Sequence, residues 1–270
     1  MTVILAIANQ NSGVGKTVTA ANVAAGFAHA GRRTLAVDCD PVADLTRWLL
    51  GRAEQDAADL EAIVAGGADP AAAVRPTRVA ELDALPATPR LAHITRALAA
   101  DTTRITRALG RLRPRYDAMV LDLPPSLSRL TVSALAAADG IVIPVTASVA
   151  GLHGLAGFRD WLASFRTDRS ITAPVWGVLL TQADLDPQGR MRTRVGREVR
   201  DALADFRVTG APLLPVLVPR RVGVDELVSR RLLLGDPAAH AGPGREVVDA
   251  YARLVDDLLE RAPGAAEPAR

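Results

Sequence analysis

The chain has 270 residues, 49% of them apolar and 23% charged, with a formal net charge of +2. That balance belongs to a globular chain rather than a disordered one. The single cysteine, Cys39, excludes a disulfide framework and a multi-cysteine zinc site, and no stretch reaches the roughly 18–20 apolar residues of a membrane-spanning helix.

The opening residues MTVILAIANQ lack the basic flank of a signal peptide, so a soluble cytoplasmic protein is expected. TVILAIA (2–8) reads as a buried strand, 17–30 as a helix stopped at Gly31, and RTLAVD (33–38) as a second buried strand. Weak helical signals fill 53–79, and ELDALPA (81–87) reads as a short strand. A long helix is expected over 91–112, a strand over 117–123, a helix over 126–137 and a strand over 140–146. Helix 152–166, strand 175–181, helix 190–206, strand 212–219 and helix 245–261 complete the pattern. Continuous apolar runs mark strands buried on both faces. Their alternation with helices predicts an α/β fold with a doubly wound, mostly parallel sheet. One domain over 1–261 and a disordered tail over 262–270 are expected.

The first strand runs into NQNSGVGKT (9–17) and then a helix. Gly13 and Gly15 let backbone amides turn inward beside a helix N-terminus, which makes an anion cradle. Lys16 is the sole lysine among 32 basic residues. Arginine is a bulky planar fork and lysine a compact charge, so a lysine kept against that bias marks a place arginine cannot fill. Lys16 would reach the β- and γ-phosphates, and the Thr17 hydroxyl would ligate Mg²⁺. The general P-loop pattern is only partly met, since Gln10 stands where its first glycine belongs. Two later strands end in acids: Asp38 and Asp40 in AVDCDP, and Asp122 in MVLDLPPS. In a doubly wound sheet such residues converge on the ligand crevice.

These segments resemble the ParA/MinD family of P-loop ATPases, with its deviant loop KGGVGKT, its DxDP motif and its Walker B motif IDxPPS. SALAAADGIVIPVTASVAGLHGL (133–155) and VPRRVGVDELVSRRLLLGDP (218–237) continue the resemblance, which covers nearly all of 1–261 and is weakest at 51–115. It looks most like the short chromosomal or plasmid partition ATPases. The resemblance implies that Asn11, Ser12, Gly13, Val14, Gly15, Lys16, Thr17 and Val18 surround the phosphates of ATP or ADP. It makes Thr17, Asp38 and Asp122 the Mg²⁺ group and Asp40 the residue that positions attacking water. It places Pro219 and Arg221 beside the adenine.

It further implies a homodimer in the ATP state, non-specific DNA binding at the nucleoid, and a ParB-like or cargo-adaptor partner that stimulates hydrolysis. One position departs from the pattern. The family's signature lysine, five residues before the P-loop lysine, is replaced by Asn11. A face-to-face dimer holding two ATP molecules concentrates negative charge, so a substitute cation is expected. Arg129, just past the Walker B strand, is the first choice and Arg47 the second. The carboxysome-distributing members also lack this lysine and form an alternative.

On the 190–206 helix, Met191, Val195, Val199, Ala202, Leu203 and Phe206 share one face, with Arg190, Arg194 and Arg197 opposite. With Arg220 and Arg221 these arginines are candidates for contacts to DNA phosphates. The bland reading is a solvated face with Arg194–Glu198 and Arg197–Asp201 pairs. The polar face of the last helix is acidic, which argues against membrane binding. A metabolic ligase of the dethiobiotin-synthetase kind, on the same fold, is the remaining alternative.

Overall fold

The computed structural model describes residues 2–51, 58–66, 68–94, 98, 101–167, 170–205, 210–220, 223–242 and 244–262. The strands are β1 (Val3–Ile7), β2 (Thr34–Asp38), β3 (Arg75–Pro76), β4 (Leu82–Leu85), β5 (Ala118–Asp122), β6 (Gly140–Thr146), β7 (Val175–Ala183) and β8 (Leu213–Pro219). They form one sheet in the order β3-β4-β2-β5-β1-β6-β7-β8. Only the two-residue β3 is antiparallel. The doubly wound α/β expectation therefore holds. The chain builds β2 to β5 on one side of β1 and then crosses it to β6, β7 and β8 on the other, which puts the ligand crevice at the carboxyl end of β1.

Both sheet faces are covered. On one face α1 (Lys16–His29), α2 (Asp44–Leu50), α9 (Gly223–Ser229), α10 (Pro237–Ala241) and α11 (Arg245–Arg261) pack over Leu5, Ile7, Ala36 and Val120. On the other, α3 (Leu60–Val64), α4 (Pro70–Ala73), α5 (Arg104–Leu112), α6 (Arg129–Ala137), α7 (Val149–Thr167) and α8 (Arg194–Ala204) pack over Ile4, Ala6, Leu35 and Met119. Adjacent strand residues thus serve opposite cores, as a period of two requires.

Helix α1 is buried almost all round because it is sandwiched between the sheet and α11. Its alanines let the neighbours approach closely. The apolar side of α11, carrying Val247, Tyr251, Leu254, Val255 and Leu258, is spent on this contact. No helix among the described residues is long and apolar enough to cross a membrane.

Two helices differ from expectation. The expected 91–112 helix is a 3₁₀ turn over Pro89–Ile94 followed, after residues that are partly outside the description, by α5. Asp101 Oδ1 takes the amide of Thr103 at 2.9 Å and its hydroxyl at 2.6 Å, a local bond that competes with helix continuation. The expected 190–206 helix starts only at Arg194, where Thr193 caps the amide of Gly196. Arg190 lies in the preceding turn, and Val195 is exposed instead of facing the core. Phe206 and the 263–270 tail lie outside the described residues.

A Cβ added at Gly26 of α1 would meet Val255 Cγ2 at 2.4 Å and Leu234 Cδ2 at 2.7 Å. Gly26→Ala should therefore destabilise the fold by about 1–2 kcal/mol despite alanine's better helix propensity. A calorimetric melt should register a loss of a few degrees.

Candidate functional site

Strand register assembles the acids. Asp38 of β2 is the direct neighbour of Asp122 in β5, and Asp122 in turn lies beside Ile7 at the end of β1. Three strand ends therefore meet where the 9–17 loop begins. Asp38 is 1% exposed and fully engaged: Oδ2 accepts the Thr46 amide at 2.8 Å and the Thr46 hydroxyl at 2.6 Å, and Oδ1 accepts the Asp40 amide at 3.0 Å. Asp122 is equally buried, yet neither of its carboxylate oxygens has a hydrogen-bond partner among the described residues. Buried polar atoms are nearly always paired, so this orphaned acid points to a missing ligand.

The loop itself is built as an anion cradle. Gly13 (φ 68) and Gly15 (φ 87) take left-handed conformations that favour glycine. Gly15 is also the N-cap of α1, and no side chain caps that end. The first amides of α1 are left for an anion. Asn9 Nδ2 donates to the Pro144 carbonyl at 2.7 Å, and Asn9 Oδ1 accepts the Asn11 amide at 3.0 Å. Gln10 Nε2 donates to the Gly154 carbonyl of α7 at 3.0 Å. Lys16 is 7% exposed, and its Nζ donates to the Asn11 carbonyl at 2.8 Å.

Burial raises the Asp38 carboxyl to about 6, against the pull of the Thr46 and Asp40 bonds. Burial, then the charge of Asp38, lift Asp122 well above the usual carboxylate range. The Thr17 hydroxyl and the Lys16 ammonium pull Asp122 the other way, the hydroxyl without closing a bond. Burial lowers the Lys16 ammonium, while the charges of Asp122 and Asp40 hold it up.

A cavity of about 530 Å³ opens over the loop. Ser12, Gly13, Gly15, Lys16, Thr17 and Val18 of the loop and α1 line it, with Asp40. Val218, Pro219, Arg220, Val247 and Tyr251 line it as well. The loop, Asp40 and Pro219 thus meet in one place, with Asp38 and Asp122 beneath. Arg221 lies outside the described residues. No cluster of three or more His, Cys, Asp or Glu able to enclose a metal occurs among the described residues. The donors present fit Mg²⁺ instead, which keeps waters and takes phosphate oxygens with one or two protein oxygens.

The structure separates the arginines. Arg129 is exposed at the first position of α6 and makes no ion pair or hydrogen bond among the described residues. Arg47 is turned back on its own segment, donating to the Val42 carbonyl at 2.6 Å and pairing with Asp44. Arg190 pairs with Asp186 at 2.9 Å and Arg194 with Glu198 at 2.7 Å. Arg197 donates to the Met191 and Arg192 carbonyls, and it is Arg200 that pairs with Asp201. Arg220 joins the same edge through its amide, which donates to Ala183 O at 2.9 Å.

Sequence reasoning passed over Thr46, Thr181 and Gln182. Thr46 was detectable as a hydroxyl on the apolar side of DLTRWLL. Thr181 and Gln182 end a continuous apolar strand, and only the register shows that they reach the loop.

The AAA domain family model matches residues 2–172. The chromosome-partitioning ATPase Soj of Thermus thermophilus is 37% identical over 258 residues, 95% of either chain. The sporulation initiation inhibitor protein Soj of Bacillus subtilis is 33% identical over 87% of this chain and 91% of its own. A solved structure described as cobyrinic acid a,c-diamide synthase from Mycobacterium smegmatis, with bound ATP analog and magnesium, superposes with a TM-score of 0.81 at 28% identity, covering 97% and 95% of the two chains. McdA of Cyanothece in its ATP complex has the same fold, with a TM-score of 0.85 at 20% identity over 100% and 99%. The chain belongs to the ParA/Soj family of partition ATPases.

Asp122→Asn should raise the melting temperature of the nucleotide-free protein. A carboxyl whose folded pKa is raised keeps its proton on folding at low pH and costs stability once it must ionise. The cost is absent below the ordinary carboxylate pKa and grows as pH rises through the folded value. The gain from Asp122→Asn should accordingly be small at pH 5 and larger at pH 8. Equal gains at both pH values, or a loss at pH 8, would contradict it.

Proposed function

We propose that this chain is an ATP-dependent partition or positioning ATPase acting through one P-loop domain over residues 1–261. The orphaned, buried carboxylate of Asp122 beside Lys16 carries the reading. In it, the amides of the 11–18 loop bind the phosphates and Lys16 bridges the β- and γ-phosphates. Thr17, Asp38 and Asp122 would hold Mg²⁺. Bound there, it would supply charge neutralisation for the transferred phosphoryl group. Asp40, half-exposed at the cavity wall, positions the attacking water. Pro219 and Arg221 flank the adenine.

The ATP state is a homodimer. Val42, Leu127 and Val149 support this, because they are exposed apolar side chains just past the carboxyl ends of β2, β5 and β6. Arg129 takes the place of the missing signature lysine at Asn11. Its lack of a partner and its unfavourable position at a helix N-terminus support that role, whereas Arg47 is already engaged. Arg190, Arg194, Arg197, Arg220 and Arg221 contact DNA phosphates without reading bases. A ParB-like or cargo-adaptor protein stimulates hydrolysis, and the nucleoid is the working location. The cargo is a plasmid, a chromosome or a protein compartment.

The 28% identity to a structure described as a synthase favours a second reading, a P-loop ligase acting on a small acid. One set of assays separates the two. Lys16→Ala should weaken ATP binding by about 10–100-fold, the worth of charge-assisted hydrogen bonds. Asp40→Ala should keep binding and lower turnover by about 10²-fold or more. Duplex DNA should bind in the ATP state, with an affinity that falls steeply with salt and ignores sequence. Wild-type binding by Lys16→Ala sinks the nucleotide assignment. Turnover that ignores DNA and requires a small carboxylic acid establishes the ligase.

A further inference from the structure

The phosphate loop is tied to the carboxyl end of β7. The Thr181 hydroxyl donates to the Val14 carbonyl at 2.8 Å. The Gln182 side-chain amide donates to the Gly13 carbonyl. Neither residue has a part in the metal or water chemistry described above, although both line the cavity.

The peptide unit is planar, with its carbonyl and the next amide pointing in opposite directions. Fixing the Gly13 carbonyl on Gln182 therefore fixes the Val14 amide on the opposite side of that peptide. Fixing the Val14 carbonyl does the same for the Gly15 amide. These amides sit at the crest of the cradle. Glycine at 13 and 15 leaves that crest free to reorient, so the amides need an external reference. Gln182 itself has φ 51, a left-handed conformation that a non-glycine residue keeps only where its surroundings hold it. The backbone on either side is tied down: Thr181 pairs with Thr146 of β6, and the Ala183 carbonyl accepts the Arg220 amide at 2.9 Å.

We propose that Gln182, with Thr181, is a positioning residue that sets the affinity of the loop for the triphosphate of a nucleotide. This rests on the ATP reading given above. The clasp pre-orders the Val14 and Gly15 amides, so phosphate does not have to order them on binding. Gln182 acts on the loop and not on the substrate, which separates its effect on binding from any effect on turnover.

The test uses two variants of the full chain. Gln182→Met keeps the length of the side chain and removes the donor. Gln182→Gly removes the donor and relaxes the left-handed backbone. Each should raise the dissociation constant for Mg-ATP by about fivefold, the worth of a net hydrogen bond, with kcat within about twofold of wild type. Gln182→Gly should melt no lower than wild type, so affinity and stability part company. In nucleotide-free protein, amide hydrogen exchange at Val14 and Gly15 should be faster in both variants. Wild-type affinity in both, or a loss of affinity that only follows a loss of melting temperature, overturns the proposal. A wild-type protein that binds no nucleotide would contradict the ATP reading instead. The exchange rates, measured without nucleotide, would still test the clasp: wild-type rates in both variants overturn it.

Discussion

Two carboxylates are held side by side, each 1% exposed, beneath the cavity over the 9–17 loop. Asp38 and Asp122 are register partners on adjacent parallel strands, so sheet pairing fixes their proximity before any side chain is chosen. Asp38 is satisfied by Thr46 and by the Asp40 amide; Asp122 is satisfied by nothing among the described residues. Isolated buried charge is costly enough that such groups protonate or acquire a cation. Lys16 supplies one buried cation against the three acids Asp38, Asp40 and Asp122, and its ammonium also donates to the Asn11 carbonyl. The site is thus short of positive charge in the absence of ligand, and the rest of the architecture can be understood as holding that shortage in place.

The restraints come from three directions. Asn9 and Gln10 tie the loop to β6 and α7, Thr181 and Gln182 tie it to β7, and Thr46 ties Asp38 to α2. Behind α1, Tyr251 of α11 meets the Thr19 hydroxyl at 2.9 Å in the core. The helix that carries the cradle is therefore backed by the last helix of the chain. Polar residues at this depth rigidify when their bonds are made; Asn9, Thr46 and Thr19 are paired, whereas among the described residues both oxygens of Asp122, and Trp48 Nε1 on α2, are not.

Much of this was legible in the sequence. Strand-length apolar runs and their alternation with helices gave the sheet, and acids placed directly after such runs gave the crevice. Lys16 stood out as the one lysine against an arginine bias. The failures have local causes. Helix 91–112 is interrupted where Asp101 binds the amide and hydroxyl of Thr103, a competition that helical periodicity cannot reveal. Arg197–Asp201 has the right spacing for an ion pair, but two backbone carbonyls of the preceding turn claim the guanidinium first. Thr181 and Gln182 were invisible because their role depends on which strand lies next to the loop, and strand order is a property of the whole sheet.

On the proposed reading, a metal-bound nucleotide completes the acid pair. Calorimetric titration of Mg-ATP into the protein near pH 7, repeated in buffers of different ionisation enthalpy, measures the protons exchanged on binding. Carboxyls whose pKa values are raised by burial must give up protons when a cation arrives. Net proton release that largely disappears in Asp122→Asn is the expected result. Tight binding by the wild-type protein without proton release, or with uptake, would contradict it.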